Sequence, residues 1–307
     1  MKNTDTFRQF CWLINTLLQA KKMSLEQIQA RWIDDNLNER KPLSRTTFYR
    51  LRQAIEDMFG IIIGCDPNDD YHYSITNPEV LKDNSTQNWM LQTLTVNNIL
   101  TDSLSVKDRL VLEEIPEGME YLQTIIKAIK RNHRLTMGYQ KFTDPLGYTV
   151  TIEPYCLKMF RQRWYLLGKN ITDKKDLQIY ALDRVTALKE TDQIFTLNPD
   201  FHADVFFKHY FGAFISNDEP PVRIVLRAYG KMIPLLRTLP KHPSQKEIVT
   251  TKKYSDFEYF LIPTFDFRQE ILREGSELEV LEPESFRKEL FEETKKAYLR
   301  YKSHQLP

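Results

Sequence analysis

The apolar residues near the start of the chain keep a period of 3.6 through three consecutive segments and then change to a period of 2. That change restricts what this stretch can build more than any other feature of the sequence. Phe7, Phe10, Cys11, Ile14, Leu17 and Leu18 lie on one helical face, so residues 7–20 are expected as a first helix. Ser24 and Gln27 form an S-x-x-Q capping box before Leu25, Ile28, Trp32 and Ile33, which marks a second. Ser44 suits the N-cap of a third, with Phe48, Leu51, Ile55 and Phe59 inward. The run Ile61, Ile62, Ile63, the polar turn 64–70 and the alternation Tyr71, Tyr73, Ile75 then read as strand, turn and strand. Three short helices and a hairpin are the layout of a winged helix-turn-helix, expected over residues 1–76.

The third helix carries the chemistry of that unit. From Arg40 to Arg52 the chain holds Arg40, Lys41, Arg45, Arg50 and Arg52 and no acid. With Phe48 and Leu51 turned inward, Arg45, Thr46, Tyr49, Arg50 and Arg52 lie largely off the core face. A recognition helix needs this, because guanidinium forks reach guanine edges and phosphates while hydroxyls reach either. Lys41, Ser44 and Thr47 complete the candidate DNA-binding set. The hairpin tip, Asp66-Pro67-Asn68-Asp69-Asp70, is acidic and poorly suited to phosphate. It also superficially resembles a calcium loop. Tyr71 stands where that loop requires glycine, however, and Asn77 where it requires glutamate, so no metal site is expected.

Whole-chain charge adds nothing to this local patch. The 43 basic and 42 acidic residues leave a net charge of +1, so DNA contact depends on clustering. Cys11, Cys65 and Cys156 are widely separated, which argues against a disulfide framework and fits a reducing cytoplasm. The start MKNTDTFRQF has no apolar signal core, and no apolar run reaches the roughly 18 residues of a membrane span. A soluble, cytoplasmic protein is expected. With only 9 glycines and no G-x-S-x-G, GxxxxGK[ST], HExxH or GxGxxG, neither an enzyme nor a bound cofactor is expected.

At 307 residues the chain has room for further domains. Residues 77–120 read as a helical connector with amphipathic patches at 89–100 and 108–115. A helix on Leu122, Ile125, Ile126 and Ile129 then precedes short strands at 134–139, 149–154, 157–160, 163–167, 177–181 and 185–190. One helix followed by closely spaced strands describes a small β-barrel over 121–195. An aromatic linker follows at 196–220. Residues 221–307 alternate strand, helix, strand, strand, helix, strand, helix, an α+β extension. The fold class expected is α+β multidomain.

Within the barrel, Arg161-Gln162-Arg163-Trp164-Tyr165-Leu166 sets cations among aromatics, a combination that suits a nucleotide's phosphate and base. An ordinary strand, with Trp164 and Leu166 inside and Arg163 and Tyr165 outside, explains the same run equally well. The segment also resembles the WYL family, named for the triplet that here is Trp164-Tyr165-Leu166. Ala128-Ile129, Arg134 to Tyr139, Ile152-Glu153-Pro154-Tyr155 and Tyr180-Ala181-Leu182-Asp183-Arg184-Val185 stand in that family's order. The resemblance covers roughly 121–190. It implies an SH3-like or Sm-like barrel binding a regulatory nucleotide or single-stranded nucleic acid, flanked by a winged helix and a ferredoxin-like extension of the WCX type. It points to Tyr139, Tyr155, Arg161, Arg163, Tyr165 and Arg184 as ligand-binding residues, leaving open which of Arg161 and Arg163 faces the pocket. The alternative for the pair Asp183-Arg184 is a structural ion pair or turn cap.

The function expected is a ligand-responsive DNA-binding transcription regulator, a repressor of a stress or phage-defence operon. The competing expectation is an accessory module that binds RNA or single-stranded DNA and modulates an associated nuclease. Phe286, Leu290, Phe291, Ala297, Tyr298 and Tyr301 exceed what one small domain can bury, so a homodimer is expected, its partners being a duplex operator and a nucleic-acid effector.

Overall fold

The computed structural model describes residues 3–35, 37, 41–82, 87–93, 109, 118–142, 146–171, 177–216 and 218–303. The chain divides into two compact units, 1–112 and 113–307.

In the first unit, helices α1 (Asn3–Ala20), α2 (Leu25–Asp34) and α3 (Arg45–Phe59) precede an antiparallel hairpin of β1 (Ile63–Asp66) and β2 (His72–Ile75). Side-chain caps set where α2 and α3 begin. Ser24 Oγ accepts from the Gln27 N–H while Gln27 Oε1 accepts from the Ser24 N–H, and Ser44 Oγ accepts from the Thr47 N–H at 3.1 Å. Gly60, at φ 66°, ends α3 in the left-handed region that glycine adopts without strain. The inward stripes meet in one core of Phe10, Leu13, Ile14, Leu17, Ile28, Trp32, Phe48, Leu51, Ile55 and Phe59. Ile33, expected inward, is 38% exposed, because Ile28 and Trp32 already fill the α2 contact. The Trp32 indole N–H donates to the Lys41 carbonyl and Gln29 donates to the Leu43 carbonyl, fixing the loop that aims α3. Met23 exchanges backbone hydrogen bonds with Tyr73, so the α1–α2 loop lies against the hairpin as a third extended segment.

Among the described residues, the second unit holds two antiparallel sheets. Helix α4 (Leu122–Arg131) packs Ile125 and Ala128 against a five-stranded sheet. Its strands are β3 (His133–Tyr139), β4 (Tyr148–Phe160), β5 (Arg163–Asn170), β6 (Leu177–Ala181) and β7 (Val185–Ile194), in the spatial order β6-β5-β4-β3-β7. The two strands expected at 149–154 and 157–160 are one. Pro154 lacks an N–H, and a bulge between Pro154 and Cys156 absorbs it without ending the strand. Laid flat, the outer strands would stand four spacings of about 4.8 Å apart, roughly 19 Å. Yet only the 3-10 turn Leu182–Arg184 joins β6 to β7. The sheet therefore curls until its edges approach. Tyr139 on β3 confirms the curl, because its hydroxyl accepts from the Ala181 N–H of β6 at 3.2 Å.

After helix α5 (Ala203–Phe207) come β8 (Val222–Tyr229), α6 (Met232–Thr238), β9 (Lys246–Thr250), β10 (Tyr254–Leu261), α7 (Phe265–Arg273), β11 (Leu278–Glu282) and α8 (Glu284–Ser303). The strand order is β11-β8-β10-β9. Ile224, Leu226, Phe257, Tyr259 and Val280 cover one sheet face with Met232, Leu236, Phe267, Ile271, Phe286 and Leu290 of the helices.

Among the described residues no helix is long and apolar enough to cross a membrane, and no cluster of metal-ligating side chains occurs. The connector patches expected at 89–100 and 108–115 lie mostly outside the described residues.

Candidate nucleic-acid and ligand sites

Helix α3 buries Phe48, Leu51, Ile55 and Phe59 and exposes Arg45, Thr46, Tyr49 and Arg50, as its 3.6 period requires. Arg52 is half-buried, and Lys41 is exposed on the preceding loop. Arg40 lies outside the described residues. Ser44 and Thr47 are committed to each other: their hydroxyls are 2.8 Å apart and Ser44 caps the helix. Tyr49 is 43% exposed, and its hydroxyl lies 3.2 Å from that of Tyr73 on the hairpin. Burial, with Tyr49 adding to it, pushes the Tyr73 phenol up, and the contact between the two hydroxyls holds α3 to the hairpin. A groove of about 680 Å³ lies between α2, α3 and the hairpin, lined by Arg45, Tyr49, Arg52 and Tyr71 among others. The acidic tip is partly neutralised by Lys22, whose ammonium bonds Asp69 at 2.7 Å and holds its carboxyl below the usual range.

In the second unit, Tyr139 and Arg184 meet. Their pocket, of about 450 Å³, is also lined by Lys141, Phe142, Tyr148, Gln178, Tyr180 and Ile215. Tyr139 packs edge-on against Tyr148 at 5.9 Å and against Tyr180 at 5.2 Å. Arg184 lies with its guanidinium carbon 3.9 Å from the Phe142 ring centroid. Among the described residues, the buried Arg184 Nε has no hydrogen-bond partner. Phe142 itself is 77% exposed, so the stacked pair forms the rim of the pocket. Burial pushes the Tyr139 phenol up, against the opposing pull of the Ala181 N–H and Arg184. It is therefore a neutral donor at physiological pH.

The other four expected ligand residues do not share this pocket. Tyr155, the residue at the β4 bulge, is stacked with Phe195 and edge-on to Phe201 at 4.9 Å. Arg161 is not on a strand. With Gln162 it forms the two-residue turn between β4 and β5, both at positive φ, and it pairs with the buried carboxylate of Glu270 on α7. Arg163 starts β5 and lies 3.5 Å from Asp183. Tyr165 is half-buried on the same strand, and burial raises its phenol. The alternation read from the sequence explains the split: Trp164 and Leu166 face the core under α4, leaving Arg163 and Tyr165 on the opposite face. Arg184 belongs to the 3-10 turn rather than a strand. Sequence reading missed Lys141, Phe142, Tyr148 and Tyr180. Tyr148 precedes the strand expected from 149 and Tyr180 opens the run that ends at Val185, but only the curl brings them to Tyr139.

The opposite face of the sheet is covered by the chain after β7. Phe160 meets Phe211 at 5.8 Å, and Phe211 meets Phe267 of α7 at 5.5 Å. Lys158 Nζ sits 3.8 Å from the Phe207 ring centroid. Burial pulls its ammonium down to about 8, with Asp266 opposing. Burial also pushes the Cys156 thiol up to about 11, so it is no nucleophile.

The helix, curled sheet and pocket coincide with a family: residues 120–190 match the family model of the WYL domain. No curated protein sequence matches the chain. Among solved structures, proteasome accessory factor B/C (PafBC) of Arthrobacter aurescens is similar over 85% of this chain and 41% of that one, at 16% identity and a TM-score of 0.32. This chain thus spans less than half the length of that protein. A CRISPR Cas-related protein is similar over 90% of this chain and 73% of its own, at 14% identity and a TM-score of 0.37.

Proposed function

We propose that the protein is a ligand-responsive, non-enzymatic transcription regulator that binds duplex DNA through α3 and an anionic nucleotide or short single strand through the WYL pocket. The observation that carries the ligand half is Arg184. Its buried Nε–H has no acceptor among the described residues, its guanidinium is stacked on an exposed ring, and Tyr139 and Lys141 stand beside it. A guanidinium is always charged and pairs its planar fork with phosphate, while exposed aromatic faces accept bases. The DNA half is supported by the exposed basic and hydroxyl face of α3 in a three-helix and hairpin unit. The order β11-β8-β10-β9 in a β-α-β-β-α-β chain supports reading residues 221–307 as ferredoxin-like, and the curl supports a small barrel.

The test is binding, by fluorescence anisotropy at one fixed salt concentration, to the duplex upstream of the protein's own gene, to random duplex and to single strands. Each is measured with and without added nucleotides or oligonucleotides. Preference for the upstream duplex, altered by the added ligand, is the expected result. Preference for single strands with no operator would replace the regulator by an accessory nucleic-acid-binding module. A reporter driven by the bound sequence gives the sign, expected to be repression.

A further inference from the structure

Among the described residues that line the Arg184 pocket, Ile215 alone comes from outside the five-stranded sheet and its turns. It belongs to the strap 209–216, and that strap is fastened to the second sheet along its length. The His209 carbonyl accepts from the Ile262 N–H at 2.8 Å, and Tyr210 forms a parallel bridge with Ile262. The Phe211 carbonyl accepts from the Thr264 hydroxyl at 3.4 Å. Asp266, in the first turn of α7, accepts from the N–H of Ala213 at 2.7 Å and from that of Phe214 at 2.9 Å. The Phe214 ring packs on Phe265 at 5.2 Å. Tyr210 then donates its hydroxyl to the Ser216 carbonyl at 2.6 Å, so Ile215 stands between two held residues.

Gly212 shows how closely the strap lies on α7. Its φ of 88° is in the region glycine adopts freely, and a Cβ there would overlap the Asp266 carboxylate. One carboxylate oxygen taking two backbone N–H groups is a charge-assisted arrangement, stronger than bonds between neutral groups. The strap adds no strand to either sheet, so these bonds decide where Ile215 stands. One wall of a pocket built on the first sheet is thus carried by the second.

We propose that Asp266 is a positioning residue for the pocket: it seats the strap so that Ile215 closes one wall, and ligand binding is thereby coupled to the docking of the two sheets. This rests on reading the Arg184 pocket as the ligand site. The physical argument is linkage. A ligand that touches Ile215 binds more tightly when the strap is seated, and by reciprocity it seats the strap more firmly. A ligand shifts an equilibrium only through contacts that differ between the two arrangements, and the contact with Ile215 is one that differs.

Amide exchange and ligand binding on the full chain test it. Asp266→Ala and Asp266→Asn lose the same charge at the start of α7, but asparagine keeps an acceptor oxygen for the strap. In Asp266→Ala, exchange is expected to be about tenfold faster at 213–216 and to rise also at 178–181 across the pocket, where the Ala181 N–H faces Tyr139. Asp266→Asn is expected to stay near wild type at both segments. Gly212→Ala, which crowds the same carboxylate from the strap side, should reproduce Asp266→Ala. The binding probe is a fluorescein-labelled strand of six thymidines, read by anisotropy. Asp266→Ala should bind it about tenfold more weakly, within the usual range for linked sites. Faster exchange confined to the strap, equal behaviour of the alanine and asparagine variants, or unchanged probe affinity in Asp266→Ala overturns the proposal. A probe that does not bind the wild type removes the nucleotide reading of the pocket instead, and exchange at 178–181 then decides by itself whether Asp266 positions the wall.

Discussion

Arg184 sits where a backbone turn, an aromatic rim and a tyrosine converge, and among the described residues its Nε–H has no acceptor. Leaving such a donor buried and unbonded costs about 1–3 kcal/mol, which an anionic ligand would recover. Arg184→Ala is therefore expected to abolish the effect of nucleotides or oligonucleotides on DNA affinity while leaving ligand-free DNA binding intact, as read by anisotropy. A variant that still responds would move the ligand elsewhere. On α3, Arg45→Ala and Arg50→Ala should each weaken duplex binding by about 1–3 kcal/mol if they read bases. If they touch phosphates, they should instead flatten the salt dependence by about one unit of slope per contact. Normal binding by the double variant would remove α3 as the reading helix. Lys158 gives a pH prediction. Its folded pKa of about 8 lies below the ordinary 10.5, so the unfolded chain holds the proton more tightly across that window. Stability should then rise as pH increases from about 8 to 10.5, relative to Lys158→Met, in denaturant titrations. Below pH 8 the penalty is complete, and the difference between the two proteins should be flat.

Two elements hold the sites in place without touching a ligand. The turn Leu182–Arg184 closes the curled sheet, and Gly118 lies directly against it. With φ at 101°, Gly118 is in the region reserved for glycine, and a Cβ there would stand 2.5 Å from the Leu182 carbonyl carbon. Gly118→Ala is expected to displace the turn and reduce ligand response together with thermal stability, whereas a neutral result would mean that the turn tolerates movement. The start of α3 depends on Ser44. Ser44→Ala removes the bond to the Thr47 N–H and should lower stability by about 1 kcal/mol in thermal melts. Its duplex affinity should fall far less than that of Arg50→Ala, because the serine hydroxyl is already engaged within the helix.

Taken as a molecule, the chain joins a helical unit with an exposed basic face to a unit of two sheets. Within the second unit, the five-stranded sheet and the sheet that follows are tied by specific contacts. Arg161 pairs with Glu270, which Lys241 and Arg273 also bond, so one buried carboxylate gathers three cations. Removing it would leave Arg161 without its carboxylate, while Lys241 and Arg273 keep Glu274. Glu270→Gln is expected to cost about 1–3 kcal/mol in denaturant unfolding, the range for removing one partner of a charged hydrogen bond. It should also loosen the β4–β5 hairpin, read as faster amide exchange at 160–163. An unfolding curve within about 0.5 kcal/mol of wild type would show that the network contributes little.

Local rules determined much of this. The periods of 3.6 and 2 placed α1, α2, α3 and the hairpin, and Ser24, Gln27 and Ser44 placed the caps, because capping and amphipathic burial depend on neighbours within one or two turns. Tyr139 and Arg184 were pointed to by the resemblance of their segments to the WYL family, and the structure brings the two together. The sequence could not show that Tyr155 and Arg161 leave the pocket, since a bulge at Pro154 and a two-residue turn at 161–162 decide which way each side chain points. Nor could it show that Phe142, Tyr148 and Tyr180 join it. Tyr148 and Tyr180 lie on separate strands and Phe142 on the loop between β3 and β4, and their meeting depends on how far a five-stranded sheet curls before its edges are joined by a three-residue turn. Curl is a property of the whole sheet, set by packing under α4, and no local pattern encodes it.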